Sequence, residues 1–108
     1  LNDGGIDISS ITQNVDAIIP VHIYGNPCDF DSIKSVSETH KAPIIEDACQ
    51  AHGATFDHKK VGSIGDVGCF SFYPTKNMTV GGDGGMVTTN NEEIKKQIAS
   101  LRDNGRRP

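Results

Sequence analysis

The amino-acid sequence predicts an α/β fold, a three-layer arrangement in which a mostly parallel sheet is flanked by helices. Two observations predict this class. Short, nearly continuous apolar runs at 17–24, 42–45 and 66–72 are typical of strands covered on both faces. Segments with helical periodicity lie between or after such runs and are joined to them by short links, which favours parallel pairing of the strands.

The first half of the chain predicts a strand–helix–strand unit. The strand at 17–24 ends at a Gly-Asn-Pro segment, and Asp29 then caps a helix that fades near His40. The second apolar run follows and closes on two acidic residues, so its strand is predicted to lie parallel to the first. Apolar residues repeat on one face of the helix at a spacing of three: Phe30, Ile33 and Val36.

The middle of the chain predicts a loop and then two further strands. Residues 48–65 are less regular and are predicted to be mostly loop. The third strand, at 66–72, stops before Pro74, because proline cannot continue a ladder of hydrogen bonds. A fourth strand, at 85–89, is rich in β-branched residues and follows the glycines of a turn.

A second helix is predicted near the end of the chain. Asn90 is the predicted N-cap, and Glu93 lies three residues on, as in a capping box. Glu92 and Lys96 have the spacing of an i,i+4 ion pair, and Gly105 is a stop signal. The apolar stripe of this helix consists of Ile94, Ile98 and Leu101.

The composition argues against several kinds of partner. A formal net charge of −4 without a basic run argues against nucleic acid and against an anionic membrane surface. No segment has the roughly 18–20 apolar residues of a membrane span, and no signal peptide is visible. The three cysteines lack CxxC spacing and the four histidines lack ligand spacing, so no metal site is predicted and a cytoplasmic location is expected.

Three polar spots follow predicted strands at their carboxyl ends. They are the segment 24–26, Asp47, and the segment 71–76, which ends in Lys76. In open α/β sheets, ligands bind beyond the carboxyl ends of the strands. The three spots are therefore predicted to converge on one edge of the sheet.

Asp47 and Lys76 are the candidate chemical groups at this edge. By position alone, Asp47 could equally be a helix cap or part of a loop ion pair, and Lys76 could be a solvated loop residue. Together they fit pyridoxal phosphate, which needs a lysine for its Schiff base and an acid for its pyridine nitrogen. The glycines at 81–85 lack the spacing of a phosphate-binding motif, so a turn is favoured there.

Four longer segments carry a resemblance to a known family. They read PVHIYGNPCDFDSI at 20–33, PIIEDACQAHGA at 43–54, VGSIGDVGCFSFYPTKN at 61–77 and GGDGGMVTTNNEE at 81–93. The sequence resembles the DegT/DnrJ/EryC1/StrS sugar aminotransferases, a family of fold-type I pyridoxal phosphate enzymes. The resemblance spans nearly the whole chain, and its motifs are long and correctly spaced.

The resemblance implies a cofactor, pyridoxal 5′-phosphate, and four residues that bind it. Lys76 matches the lysine that forms the Schiff base with the cofactor and moves the proton in catalysis. Asp47 matches the aspartate that is paired with the pyridine nitrogen, and Gln50 matches the position that contacts the cofactor ring or its 3′-oxygen. Ser71 matches a serine that contacts the cofactor phosphate.

The resemblance also implies that the chain is one part of a longer protein. Family members are several times longer, so residues 1–108 are expected to be a single fragment of the cofactor-binding large domain. The upstream phosphate-binding segment and the C-terminal small domain are absent from it. Because the family builds each site across a homodimer, the fragment alone is expected to bind the cofactor weakly and to be inactive.

The implied function is the transfer of an amino group from an amino acid, with glutamate as the expected donor, to a keto group of a nucleotide-linked sugar. Two alternatives stay open: a pyridoxal-phosphate-dependent sugar dehydratase, and a non-catalytic ligand-binding relative. Some dehydratases of the family carry histidine in place of the lysine, so Lys76 argues against dehydration.

Overall fold

The computed structural model describes residues 5–106, so both ends of the predicted unit 1–108 lie outside the described residues. The two α-helices and five strands of the described part are, in chain order, α1 (Phe30–His40), β1 (Ile45–Asp47), β2 (Thr55–Phe56), β3 (Lys59–Lys60), β4 (Val67–Ser71), β5 (Gly85–Thr88) and α2 (Glu92–Arg102). Two short 3-10 helices, Ile8–Ser10 and Ile23–Gly25, precede α1. The five strands lie between the two α-helices along the chain, and the α/β class is confirmed.

The main sheet has the strand order β1-β4-β5. Strands β1 and β4 are parallel, and Asp47 pairs with Cys69 in their register. Strand β5 is antiparallel to β4, where Val87 pairs with Cys69. Parallel pairing therefore puts the carboxyl ends of β1 and β4, with Asp47 and Ser71, at the same edge of the sheet.

The predicted first strand, 17–24, is present only as an interrupted extended segment. Parallel bridges join it to the β1 region, between Ile18 and Ile44 and between Val21 and Asp47. Pro20 accepts a hydrogen bond from Asp47 N through its carbonyl at 2.9 Å, but it has no N–H to donate in return. The parallel direction is confirmed, whereas the prediction of a continuous strand was wrong because the ladder loses a hydrogen bond at Pro20.

The segment 48–65 contains a short hairpin that the sequence reading missed. Strands β2 and β3 pair antiparallel and are joined by Asp57 and His58. Both residues have positive φ angles, 45° and 62°, as the tight turns of two-residue hairpins require. Glycine or asparagine at this turn would have signalled the hairpin, and neither is present.

Helix α1 begins and ends as predicted. The Asp29 carboxylate accepts hydrogen bonds from the backbone N–H groups of Asp31 and Ser32 and so caps the helix. Phe30 and Ile33 are fully buried and form the main core with other apolar side chains: Ile18, Cys28, Ala42 and Ile44. A smaller core lies beneath the turn that follows β1 and consists of Ala48, Ala51 and Val61.

Helix α2 begins one residue later than predicted. Asn91, not Asn90, accepts the hydrogen bonds from Glu93 N and Ile94 N, so the predicted capping box is not formed. The ion pairs are also shifted, because Lys95 contacts Glu92 and Lys96 contacts Glu93 at i,i+3 spacing. The predicted apolar stripe is not covered within residues 5–106: Leu101 is 74% exposed, and α2 contains no buried residue.

Candidate functional site

Residues from three parts of the chain meet at the predicted edge of the sheet. A cavity of about 360 Å³ is lined by residues that follow the first extended segment, β1 and β4: Tyr24, Gln50, Thr75, Lys76 and Asn77. The predicted convergence is therefore seen in the structure. Two of the four predicted site residues, Gln50 and Lys76, line this cavity, and Asp47 and Ser71 end the two neighbouring strands.

Asp47 lies on a fixed piece of backbone. Its N–H donates to Pro20 O at 2.9 Å and its carbonyl accepts from His22 N at 3.0 Å. Its Oδ1 accepts from Cys49 N at 3.1 Å, which caps the turn after β1. Asp47 thus caps a local turn through one carboxylate oxygen, and not a helix as one interpretation of the sequence allowed.

Lys76 is held by the turn that ends β4. Its backbone N–H donates to Tyr73 O at 2.9 Å, which closes a four-residue turn with Pro74 at the second position, where the fixed φ of proline is favourable. The side chain is half-buried. Among residues 5–106, no carboxylate forms an ion pair with the Lys76 amine.

The Cys49 thiol lies under the electrostatic influence of both Asp47 and Lys76. Burial raises the pKa of Cys49 to about 11, Asp47 acts in the same direction, and the positive charge of Lys76 opposes them. Both charges are therefore felt at one sulfur atom. The thiol stays protonated near neutral pH, so it is a poor nucleophile.

Gln50 is oriented by a backbone group of the neighbouring segment. Its Oε1 accepts a hydrogen bond from Tyr24 N at 2.9 Å. Because a backbone N–H can only donate, this contact assigns the side-chain oxygen and leaves the amide NH₂ for another partner. Gly25 follows with a φ of 83°, and a Cβ there would lie 3.3 Å from Gln50 O, so the close approach favours glycine.

Ser71 is the last residue of β4, and its hydroxyl faces the next turn. Its Oγ accepts a hydrogen bond from Tyr73 N at 3.3 Å. The hydroxyl does not line the cavity of Gln50 and Lys76. Ser71 therefore lies near this edge of the sheet but does not line the cavity that Gln50 and Lys76 share.

The glycine-rich segment 81–85 returns the chain to β5. Phe72 N donates to Gly84 O at 2.7 Å, and Val80 forms an antiparallel bridge with Gly82. The segment is a turn, as favoured from the sequence.

Within residues 5–106, no group of three His, Cys, Asp or Glu side chains could bind a metal ion. None of the helices described there has the length and apolar character needed to span a membrane.

Glu46 is a buried charge that the sequence reading missed. Its side chain is inaccessible to solvent. The carboxylate accepts hydrogen bonds from His22 Nε2 at 3.2 Å, from Ile64 N at 2.7 Å and from Gly65 N at 2.6 Å. Gly62 N is a further donor. Burial alone would raise the pKa of Glu46, but these hydrogen bonds outweigh it and lower the pKa below 4.5.

A signal for Glu46 is present in the strand pattern. Side chains alternate between the two faces of a strand, so Glu46 shares a face with the buried Ile44 and lies opposite Asp47. A glutamate on the core face must meet donors inside the protein. His22 lies beside Glu46 and is fully buried as well.

The protonation of His22 follows from its two neighbours. Burial opposes a second proton on the ring, whereas the Cys28 thiol and the Glu46 carboxylate favour it and raise the pKa of His22. The hydrogen bond from Cys28 N to Nδ1, 3.1 Å long, decides the matter, because a proton on Nδ1 would point at this donor. The ring therefore carries one proton, on Nε2, and donates it to Glu46.

Comparison with known proteins gives one consistent family. The sequence model of the DegT/DnrJ/EryC1/StrS aminotransferase family matches residues 7–108. A UDP-N-acetyl-3-dehydro-alpha-D-glucosamine 3-aminotransferase of Acidithiobacillus ferrooxidans is 46% identical over 97 residues, which are 90% of this chain and 26% of the relative. A dTDP-3-amino-3,4,6-trideoxy-alpha-D-glucose transaminase of Streptomyces venezuelae is 42% identical over 91% of this chain and 26% of its own length.

Solved structures show the same fold. An aminotransferase from Psychrobacter cryohalolentis superimposes with a TM-score of 0.91 at 42% identity, covering 97% of this chain and 28% of that one. An E. coli GDP-4-keto-6-deoxy-D-mannose-3-dehydratase with bound hydrated PLP superimposes with a TM-score of 0.84 at 32% identity, covering 94% and 27%. The chain spans about a quarter of the length of the curated relatives described above.

Proposed function

Because the chain belongs to the DegT/DnrJ/EryC1/StrS aminotransferase family, we propose that it is part of a pyridoxal-phosphate-dependent sugar aminotransferase. The enzyme transfers the amino group of an amino acid, glutamate in our proposal, to a keto group of a nucleotide-linked sugar. Relatives named as aminotransferases of nucleotide sugars support this substrate class. The observation that carries the proposal is the cavity shared by Lys76 and Gln50, with Asp47 at the end of the adjoining strand.

The residues at this edge fit the needs of pyridoxal phosphate. When bound, the cofactor supplies an electron sink for the pair released as a substrate Cα–H bond breaks. In this proposal the Lys76 amine would hold the cofactor through its aldehyde carbon, with loss of water, and would carry the proton. The Asp47 carboxylate would keep the pyridine nitrogen protonated, the Gln50 NH₂ would donate to the ring oxygen, and the Ser71 hydroxyl would contact the phosphate.

Lys76 favours transamination over dehydration. A primary amine can be displaced from the cofactor by the amino donor and can return after each cycle, as transamination requires. Several structural relatives are dehydratases, and one of them was solved with a trapped PLP-glutamate geminal diamine, so the dehydratase alternative has an observation behind it. The sugar product separates the two reactions, because an aminotransferase leaves an amine on the sugar whereas a dehydratase removes a hydroxyl group from it.

The amino-acid half-reaction distinguishes an aminotransferase from a non-catalytic relative. The full-length enzyme, loaded with pyridoxal phosphate, is mixed with glutamate and no sugar, and its visible absorption spectrum is followed. We expect the absorption band of the aldehyde form to be replaced by that of the pyridoxamine form, with release of 2-oxoglutarate. An unchanged spectrum with glutamate and with other amino acids would contradict an aminotransferase.

We also propose that residues 1–108 are the central part of the cofactor-binding large domain of a homodimeric enzyme. Their share of the relatives' length supports this, about a quarter in each case. A groove of about 930 Å³ between β5 and α2 supports it too, because it is lined by half-exposed apolar side chains such as Val87 and Ile98. Apolar surface of this kind is usually covered in a complete domain.

The isolated 108-residue chain is therefore expected to bind pyridoxal phosphate weakly and to show no turnover. The upstream phosphate-binding segment and the small domain that we propose would both be missing from it. Cofactor titration and an aminotransferase assay, run side by side on the isolated chain and the full-length enzyme, measure this. Steady transaminase activity from the purified 108-residue chain would refute the proposal.

A further inference from the structure

The loop of residues 22–28 is held at both of its ends by His22. The backbone N–H of His22 donates to Asp47 O at 3.0 Å, which joins the start of the loop to β1. The ring Nδ1 of the same residue accepts from Cys28 N at 3.1 Å, which joins the end of the loop to its start. One buried residue thus makes two of the contacts that close this seven-residue loop, and the Cys28 thiol makes a third by donating to Val21 O at 3.2 Å.

The His22 ring itself has no freedom to turn. Nε2 lies 3.2 Å from Glu46 Oε2, on the side opposite Cys28. The Phe30 ring packs against it with centroids 5.5 Å apart. The ring is inaccessible to solvent, so its contacts are not exchanged for water. The loop is therefore closed on a rigid support.

The closed loop holds Tyr24 in an unfavourable backbone conformation. Tyr24 has a φ of 56°, in the left-handed region that costs a non-glycine residue free energy. Its side chain is 89% exposed and cannot be the group that holds it there. This backbone conformation aims the Tyr24 N–H at Gln50 Oε1, 2.9 Å away.

We propose that His22 is a positioning residue for the cofactor site, acting through the 22–28 loop and Tyr24 N–H on the orientation of Gln50. With Oε1 engaged by the loop, the Gln50 NH₂ faces the cavity as a hydrogen-bond donor. Such a donor suits the ring oxygen of pyridoxal phosphate. The inference rests on the proposed function, because it takes the cavity of Gln50 and Lys76 as the cofactor site.

Two substitutions of His22 separate its two hydrogen bonds. In His22→Asn, the side-chain oxygen can take the place of Nδ1 and accept from Cys28 N, while the contact with Glu46 is lost. In His22→Gln, the side-chain NH₂ can take the place of Nε2 and donate to Glu46, while the bond that closes the loop is lost. Both variants disturb the core, so stability alone does not distinguish them.

The affinity of the full-length enzyme for pyridoxal phosphate, measured by absorption titration, does distinguish them. We expect His22→Gln to bind the cofactor about tenfold more weakly than wild type, the effect of about one lost hydrogen bond. His22→Asn should stay within about twofold of wild type. Equal losses in the two variants, or a larger loss in His22→Asn, would overturn the proposal.

A double-mutant cycle with Gln50→Ala tests the route of the effect. If His22 acts through Gln50, His22→Gln should not lower the affinity for pyridoxal phosphate any further once Gln50 is alanine. Additive losses would contradict the route through Gln50. If wild type shows no cofactor band at all, the proposed function fails, and the inference fails with it.

Gly25→Ala gives the same test without a change in the core. A Cβ at this position strains a residue with a φ of 83° and lies 3.3 Å from Gln50 O. We expect it to weaken cofactor binding in wild type and to have no further effect in the Gln50→Ala background. A Gly25→Ala loss that persists in that background would overturn the inference even if His22→Gln does not fold.

Discussion

Replacing Lys76 by alanine in the full-length enzyme is expected to lower the rate of transamination by about 10³-fold or more. The amine would be lost both as the group that bonds to the cofactor and as the group that moves the proton, and proton transfer alone is worth about 10²–10⁴-fold. Steady-state kinetics with glutamate and a keto sugar nucleotide, at saturating pyridoxal phosphate, measures the loss.

Two control variants make this result specific to the amine. Lys76→Arg keeps the positive charge beside Asp47 but cannot bond to an aldehyde in the same way, so it should be nearly as inactive as Lys76→Ala. Lys96→Ala removes an exposed lysine that only pairs with Glu93 on α2, and its activity should be unchanged. A Lys76→Ala variant with more than a tenth of wild-type activity would rule out a catalytic role for this lysine.

Replacing Glu46 by alanine is expected to destabilise the fold by about 3–5 kcal/mol, because several buried donors lose their acceptor at a cost of about 1–3 kcal/mol each. The change leaves the His22 Nε2–H and the backbone N–H groups of Gly62, Ile64 and Gly65 buried without their acceptor. Urea unfolding of the full-length enzyme measures the loss.

A matched control for Glu46 lies on the surface. Glu93→Ala removes a glutamate of α2 that pairs with Lys96 on the exposed surface, and the expected loss is below about 1 kcal/mol. If the two alanine variants were equally stable, the hydrogen bonds of Glu46 would contribute nothing beyond an exposed contact, which would refute the structural role given to it here.

The pH dependence of stability follows from the same carboxylate. Hydrogen bonds hold the pKa of Glu46 in the folded state below its ordinary value of 4.5. The charged form is thus favoured by folding, so its contribution is complete above pH 4.5 and is lost as the pH falls through the lower folded pKa. Below pH 4.5, wild type should therefore lose stability more steeply than Glu46→Gln, and parallel curves would contradict this.

Much of the fold is readable from the sequence because it depends on local patterns. The apolar run at 42–45 leads into β1 and the run at 66–72 contains β4, and α1 has both a capping aspartate and a regular apolar face. The errors have local causes too. Pro20 removes one hydrogen bond from a ladder that hydrophobicity alone predicts to be continuous. The turn between β2 and β3 uses residues other than glycine at positive φ.

The candidate site is only partly readable in this way. Position alone leaves the roles of Asp47 and Lys76 ambiguous. The amino-acid sequences of the surrounding motifs identify the family. Contacts between segments distant in the chain lie beyond such patterns, as with Gln50 and Tyr24, which are 26 residues apart. A buried Glu46 was not predicted, because the strand-end position pointed only to Asp47 as a chemical group. Strand alternation nevertheless places Glu46 on the core face.

The measurement that tests the central claim most directly is the mapping of the covalent bond between the cofactor and the protein. The full-length enzyme is mixed with pyridoxal phosphate, reduced with borohydride, digested and examined by mass spectrometry, with Lys76→Ala as the control. We expect a phosphopyridoxyl group on Lys76 and none at the corresponding peptide of the control. An unmodified Lys76, or a stoichiometric adduct on another lysine, would contradict it.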